Sequence, residues 1–115
     1  LAAIAIDIND AELTVADRSG VLAVEPGYAL VEDGRVVTGA EALRQARLKP
    51  RRVTNRYWSA LSAEPGSAGL EIAPSAAQLA YVQLADLWRR LGNRADDVVL
   101  VVPGHYGAGQ LGLLL

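Results

Sequence analysis

The stretch "DVVLVVPGHYGAGQLG", Asp97 to Gly112, decides how this chain is read. Its first half, Asp97 to Val102, carries after the leading aspartate an unbroken apolar run of the kind found in strands buried on both faces. Pro103 and Gly104 end that run, and a last helix is expected from about Gly107. The second half also spells G-x-G-x-x-G from Gly107 to Gly112. In a dinucleotide-binding turn the first glycine follows the strand almost directly, so that the helix N-terminus meets the pyrophosphate. Here Pro103, Gly104, His105 and Tyr106 intervene. The acidic residue about 20 positions further on, which would support the motif, has no counterpart in the sequence. The glycines therefore read as small residues for close backbone packing. A dinucleotide-binding oxidoreductase is kept as an alternative that rests on this motif alone.

Working outward, "AAIAIDI" (Ala2 to Ile8) reads as a buried strand, and "ELTVAD" alternates like a half-buried one. The short "NDA" between them suits a hairpin, since Asn9 and Asp10 tolerate turn dihedrals. "VLAVE" is a third strand after a Ser19-Gly20 turn. "YALVEDGRVVTG" predicts a hairpin closed by Asp33-Gly34 in a type I′ turn. Ala40 to Leu48 has helix composition and is stopped by Pro50. "LKPRRVTNR" is basic and irregular, "YWSALS" suits one helical turn, and "AEPGSAG" is a loop. The strongest helix is Ser75 to Leu91. Ser75 and Gln78 form a capping-box pair, and Ala77, Ala80, Tyr81, Leu84, Leu87, Trp88 and Leu91 make one apolar stripe. Strands followed by helix, strand and helix predict an α/β fold with a mixed sheet and packed helices.

The 115 residues allow one domain at most. With 51% hydrophobic and 21% charged residues, the composition is that of a folded chain and not a disordered one. A net charge of −2 gives no overall electrostatic footprint for nucleic acid or an anionic membrane. Absence of cysteine excludes disulfides and thiolate metal sites and fits a cytoplasmic protein. A single histidine leaves little basis for a zinc site. No apolar run reaches the ~20 residues of a membrane span, and no signal peptide is evident. The opening Leu1 and the uncapped Leu111, Leu113, Leu114 and Leu115 lead to the expectation that residues 1–115 are a partial domain. That domain would be the front of a longer chain, cut in its last helix. Its apolar C-terminal end would then pack on the remainder of its own chain or drive homo-oligomerisation.

Among candidate functional residues, Asp7 stands at a strand end, where a carboxylate can hold a hard cation and its waters. His105 has no nucleophile or acidic orienter nearby in sequence and reads as a hydrogen-bonded loop histidine. Asp96-Asp97 reads as a solvated strand entry. Arg51, Arg52 and Arg56 have phosphate-binding chemistry but more often form a solvated loop. Tyr57-Trp58 reads as a core anchor.

Three segments, in order, resemble the N-terminal part of the actin-like ATPase superfamily, closest to DnaK-type heat-shock chaperones. "AIDINDAELTVAD" is similar to the first phosphate hairpin, a strand, D-x-G-[ST] and a second strand. "PGYALVEDGRVVTGAEALRQARLKP" is similar to the Pro-Ser-Tyr-Val-Ala run through Gly-Asp-Ala-Ala to a helix. "VVLVVPGHYGAGQ" is similar to V-T-V-P-A-Y-F-N-D-x-Q-R. The resemblance implies the first subdomain of the actin-like, ribonuclease H-like fold. It implies half of a cleft for ATP and Mg2+, with client proteins as partners of the parent. Asp7 would hold magnesium-bound water, Asn9 and Asp10 would face phosphate, and Pro103 would be the switch proline. The family has Gly where Asn9 stands and Thr or Ser where Asp10 stands. Its catalytic lysine falls near Trp58, where this chain has none, and its Arg after Gln is Leu111. The resemblance thus implies a degenerate phosphate motif and a piece that does not hydrolyse ATP by itself. A non-catalytic interaction or scaffold module on the same fold is the alternative.

Overall fold

The computed structural model describes residues 3–9, 11–64, 75–91 and 97–114. The chain opens with an antiparallel meander of β1 (Ala3–Ile8), β2 (Glu12–Asp17) and β3 (Gly20–Pro26). The β2–β3 turn is held by Asp17, whose Oδ1 accepts from the Ser19 amide at 2.8 Å and the Ser19 hydroxyl at 2.6 Å. β7 (Asp97–Val101) pairs parallel to the free side of β1, giving the order β3-β2-β1-β7. Alternation then sorts the side chains of β1. Ile4, Ile6 and Ile8 are buried on one face, while Ala3 and Asp7 are exposed on the other.

A second, smaller sheet has the order β5-β4-β6. Its hairpin joins β4 (Ala29–Glu32) to β5 (Arg35–Thr38). Asp33 at φ 52° and Gly34 at φ 75° supply the two left-handed residues of the expected type I′ turn. β6 (Val53–Thr54) lies within the stretch expected to be irregular. It pairs with Ala29 and Leu30, a long-range contact that local sequence does not encode. α1 (Ala40–Gln45) is shorter than the expected Ala40 to Leu48. Beyond Gln45 the chain continues as hydrogen-bonded turns, with Leu48 N and Lys49 N donating to Gln45 O. Gly39 precedes α1 at φ 78°, and a Cβ there would stand 3.1 Å from the Glu25 side chain. Glycine alone meets both demands.

α2 (Ala76–Leu91) begins with the reciprocal capping box anticipated from sequence. Ser75 N donates to Gln78 Oε1 at 2.8 Å and Gln78 N to Ser75 Oγ at 3.2 Å. Its buried row is Ala76, Leu79, Ala80, Gln83, Leu87 and Leu91. This corrects the expected stripe: Tyr81 is 73% exposed, and Leu79 and Gln83 take the central places. The helix is rotated so that a glutamine enters the core, because buried partners are waiting for it. One core cluster joins Ile4, Ile6, Ile8, Leu13 and Val15 of the large sheet to Leu79, Ala80, Leu87 and Leu91 of α2 and to Tyr57, Trp58 and Leu61. Burying a side chain such as Leu79 stabilises by about 1.5–3 kcal/mol.

β7 also departs from expectation. It is an edge strand in this structure, with Val98, Val99 and Val101 at 41, 53 and 48% exposure, and not a strand covered on both faces. α3 (Ala108–Leu114) follows it, packing Leu114 against the core and leaving Leu111 and Leu113 exposed. Among the described residues, no helix is long and apolar enough to cross a membrane.

Candidate functional site

The parallel pairing of β1 and β7 brings two sequence-distant strand ends together. Asp7 lies between Thr14 of β2 and Val101 of β7. Pro103 follows two residues later, so the aspartate and the proline-led loop share the rim of the sheet at the C-terminal ends of β1 and β7. Asp7 is exposed at this edge. In a mixed sheet the ends of parallel strands are where ligands are commonly held.

The β1–β2 turn forms one side of this edge. Asn9 N donates to Glu12 O at 3.1 Å. The Asn9 side-chain oxygen accepts from the amides of Ala11 and Glu12, each at 3.0 Å. This is the local competition that asparagine offers to backbone amides. Its consequence is chemical: both amides already have an acceptor. Asp10 lies outside the described residues. The Ala11 carbonyl accepts from Gly27 N at 2.8 Å, which ties the turn to the start of the second sheet.

The loop after β7 forms the other side. Tyr106 N donates to Pro103 O at 3.1 Å, closing a turn. The loop then clamps the Tyr57–Leu61 segment by its carbonyls. Tyr106 Oη donates to Trp58 O, His105 Nε2 lies 2.9 Å from Ser59 O, and Gln110 Nε2 donates to Leu61 O at 3.4 Å. His105 and Tyr106 meet edge to face with centroids 5.3 Å apart. His105 is therefore a loop fastener, in line with the structural reading of it.

The clamped segment is itself anchored. Ala60 N donates to Arg56 O at 2.8 Å, the single helical turn anticipated for "YWSALS". Tyr57 and Trp58 are fully buried and converge on Gln83 of α2. Gln83 Oε1 accepts from Tyr57 Oη at 2.5 Å and Trp58 Nε1 at 2.9 Å. Its Nε2 donates to Glu25 Oε1 at 2.7 Å and Pro26 O at 2.9 Å. The Glu25 carboxylate is closed off by Arg90, which also holds Asp86 at 2.9 Å. Burial, reinforced by the nearby Glu25 charge, raises the Tyr57 phenol well above its ordinary range. The Arg90 guanidinium is held charged mainly by its hydrogen bond to Glu25.

The other sequence candidates fall elsewhere. Arg52 sits 3.6 Å from Glu32 of β4, on the second sheet. Arg51 and Arg56 are exposed. Asp97 is exposed at the entry to β7, and Asp96 lies outside the described residues. Close packing does not explain the glycines of the G-x-G-x-x-G stretch. A Cβ at Gly107, Gly109 or Gly112 would meet nothing within 4 Å. Gly107 N instead donates to Gln110 Oε1 at 3.0 Å, a side-chain cap on α3. Among the described residues, no group of three or more His, Asp or Glu side chains lies together as a metal site. Asp7 offers one carboxylate.

Sequence reasoning missed Gln83, Glu25 and Tyr106 as the residues that fix this edge. Gln83 carried a signal: it stands four residues after Leu79 and four before Leu87, a polar residue in an apolar row. No family model matches the chain, and no curated protein matches it.

Proposed function

We propose that this chain is a lobe of an actin-like ATPase-superfamily protein of the DnaK chaperone type, forming half of a cleft for ATP and Mg2+. The observation that carries this reading is the β1–β7 register, Asp7 opposite Val101, which aligns the aspartate tip with the loop that begins at Pro103. An antiparallel three-strand meander extended by one parallel strand is compatible with the first subdomain of that ribonuclease H-like fold. Asp7 suits a hard cation held through water. The phosphate end fits less well, because an incoming phosphate oxygen has to displace Asn9 Oδ1 from the Ala11 and Glu12 amides. In sequence Asp10 follows Asn9, and the resemblance would set its negative charge against the anion. The nucleotide role is therefore weakened or altered, and no catalytic step is assigned to the chain.

The same Asn9 contact favours a second reading, a non-catalytic interaction module that keeps the fold. Exposed Val99, Val101, Leu111 and Leu113 would then be covered by a second lobe or a second copy. Calorimetric titration of Mg-ATP into the natural protein carrying this chain separates the two. Binding that disappears in Asp7→Ala supports the nucleotide reading. No heat at millimolar Mg-ATP removes it and leaves the interaction module.

A further inference from the structure

The net charge of −2 conceals a strong segregation. Residues 42–63 carry six of the eleven Lys and Arg and none of the thirteen Asp and Glu. That segment is therefore +6 and the rest of the chain −8. The six are Arg44, Arg47, Lys49, Arg51, Arg52 and Arg56.

The fold gathers this charge instead of dispersing it. Glu32 at the end of β4 takes Lys49 at 2.7 Å and Arg52 at 3.6 Å, and it also feels the charge of Arg35. One carboxylate thus faces three cations. Arg44 is paired with Glu41. Among the described residues, Arg47, Arg51 and Arg56 have no ion pair, and all are exposed.

The backbone that carries them is fixed. Leu48 N bonds Gln45 O at 3.1 Å, Arg52 N bonds Lys49 O at 3.0 Å, and Val31 N bonds Arg52 O at 2.8 Å. In the middle of this turn, Leu48 is 82% exposed, flanked by Arg47 and Lys49. An exposed apolar side chain with a cation on either side in sequence, and two more in the hydrogen-bonded turn that follows, rewards a partner with both acid and aliphatic groups. The aromatic pair of the same segment, Tyr57 and Trp58, is buried and gives no platform for stacked bases.

We infer that the α1–β6 turn, centred on Leu48 with Arg47, Lys49, Arg51 and Arg52 around it, is a docking surface for an acidic, leucine-containing protein segment. The inference does not depend on the nucleotide reading. Charge complementarity accelerates encounter and fixes orientation, and contact with Leu48 slows release.

The test is fluorescence anisotropy with a labelled peptide of alternating Glu and Leu, titrated with the natural protein that carries this chain. Binding is expected at low salt and to weaken as salt rises. Arg47→Glu with Arg51→Glu should weaken it by about tenfold or more. Leu48→Ser should weaken it by about three- to tenfold. The substituted side chains are exposed, so near-ultraviolet dichroism should be unchanged in both variants. Three results overturn the inference. One is no binding of the peptide at millimolar protein in low salt. Another is equal binding of polyuridylate with no effect of Leu48→Ser, which assigns the patch to nucleic acid. The third is a concentration-dependent dimer abolished by the same substitutions, which assigns it to a second copy.

Discussion

Replacing Gln83 with leucine tests whether the buried polar knot or the apolar core holds the candidate site together. Leucine is close in size and more apolar, so an account based on burial alone expects little loss. The hydrogen bonds say otherwise. The Trp58 indole N–H and the Tyr57 hydroxyl lose Gln83 Oε1, and the Pro26 carbonyl and Glu25 lose Gln83 Nε2. Glu25 keeps Arg90. Each buried donor or acceptor left without a partner costs about 1–3 kcal/mol. Counting three such groups, and allowing for the added apolar burial, the loss is about 3–6 kcal/mol. A chain of 115 residues has a total stability of about 6–17 kcal/mol at the usual value per residue. Gln83→Leu should therefore remove a large share of it. Urea denaturation followed by the fluorescence of Trp58 and Trp88 measures this. In a double-mutant cycle with Trp58→Phe, the coupling to Gln83 should be about 1–2 kcal/mol. A loss below about 1 kcal/mol for Gln83→Leu would refute the reasoning and return the stability to packing alone.

Two further outcomes follow from the same geometry. Asn9→Ala removes the acceptor from the Ala11 and Glu12 amides, so hydrogen exchange at both should accelerate at a stability cost of about 1–2 kcal/mol. Unchanged exchange at both positions would show that the Asn9 carboxamide does not occupy them. Tyr57 has its phenol pKa raised by burial and then by the Glu25 charge. The protonated form is the one the fold favours, so its contribution is complete below the unfolded tyrosine pKa of about 10 and is lost as pH rises past it. Absorbance titration should show Tyr57 ionising only as the chain unfolds, and Tyr57→Phe should flatten the alkaline decline in stability. Ionisation of all four tyrosines in the folded chain would contradict the burial argument.

Much of the local structure was legible in the sequence because the causes are local. Asp33-Gly34 specified its turn, since two consecutive left-handed residues suit few other pairs. Ser75 and Gln78 specified the start of α2, since each satisfies the other's amide. Alternation along β2 told that Leu13 and Val15 face inward. Long-range pairing was decided in three dimensions. β6 exists because Ala29 and Leu30 present a strand edge to Val53 and Thr54. Gln83 enters the core because Tyr57, Trp58, Glu25 and Pro26 converge on it from segments at least 25 residues away. Asp7 and Pro103 share one end of the sheet because β7 chose β1 as its parallel neighbour. Periodicity ranks residues by apolarity and cannot see a partner supplied by a distant segment, so the rotation of α2 about its axis and the composition of the site edge belonged to the tertiary structure alone.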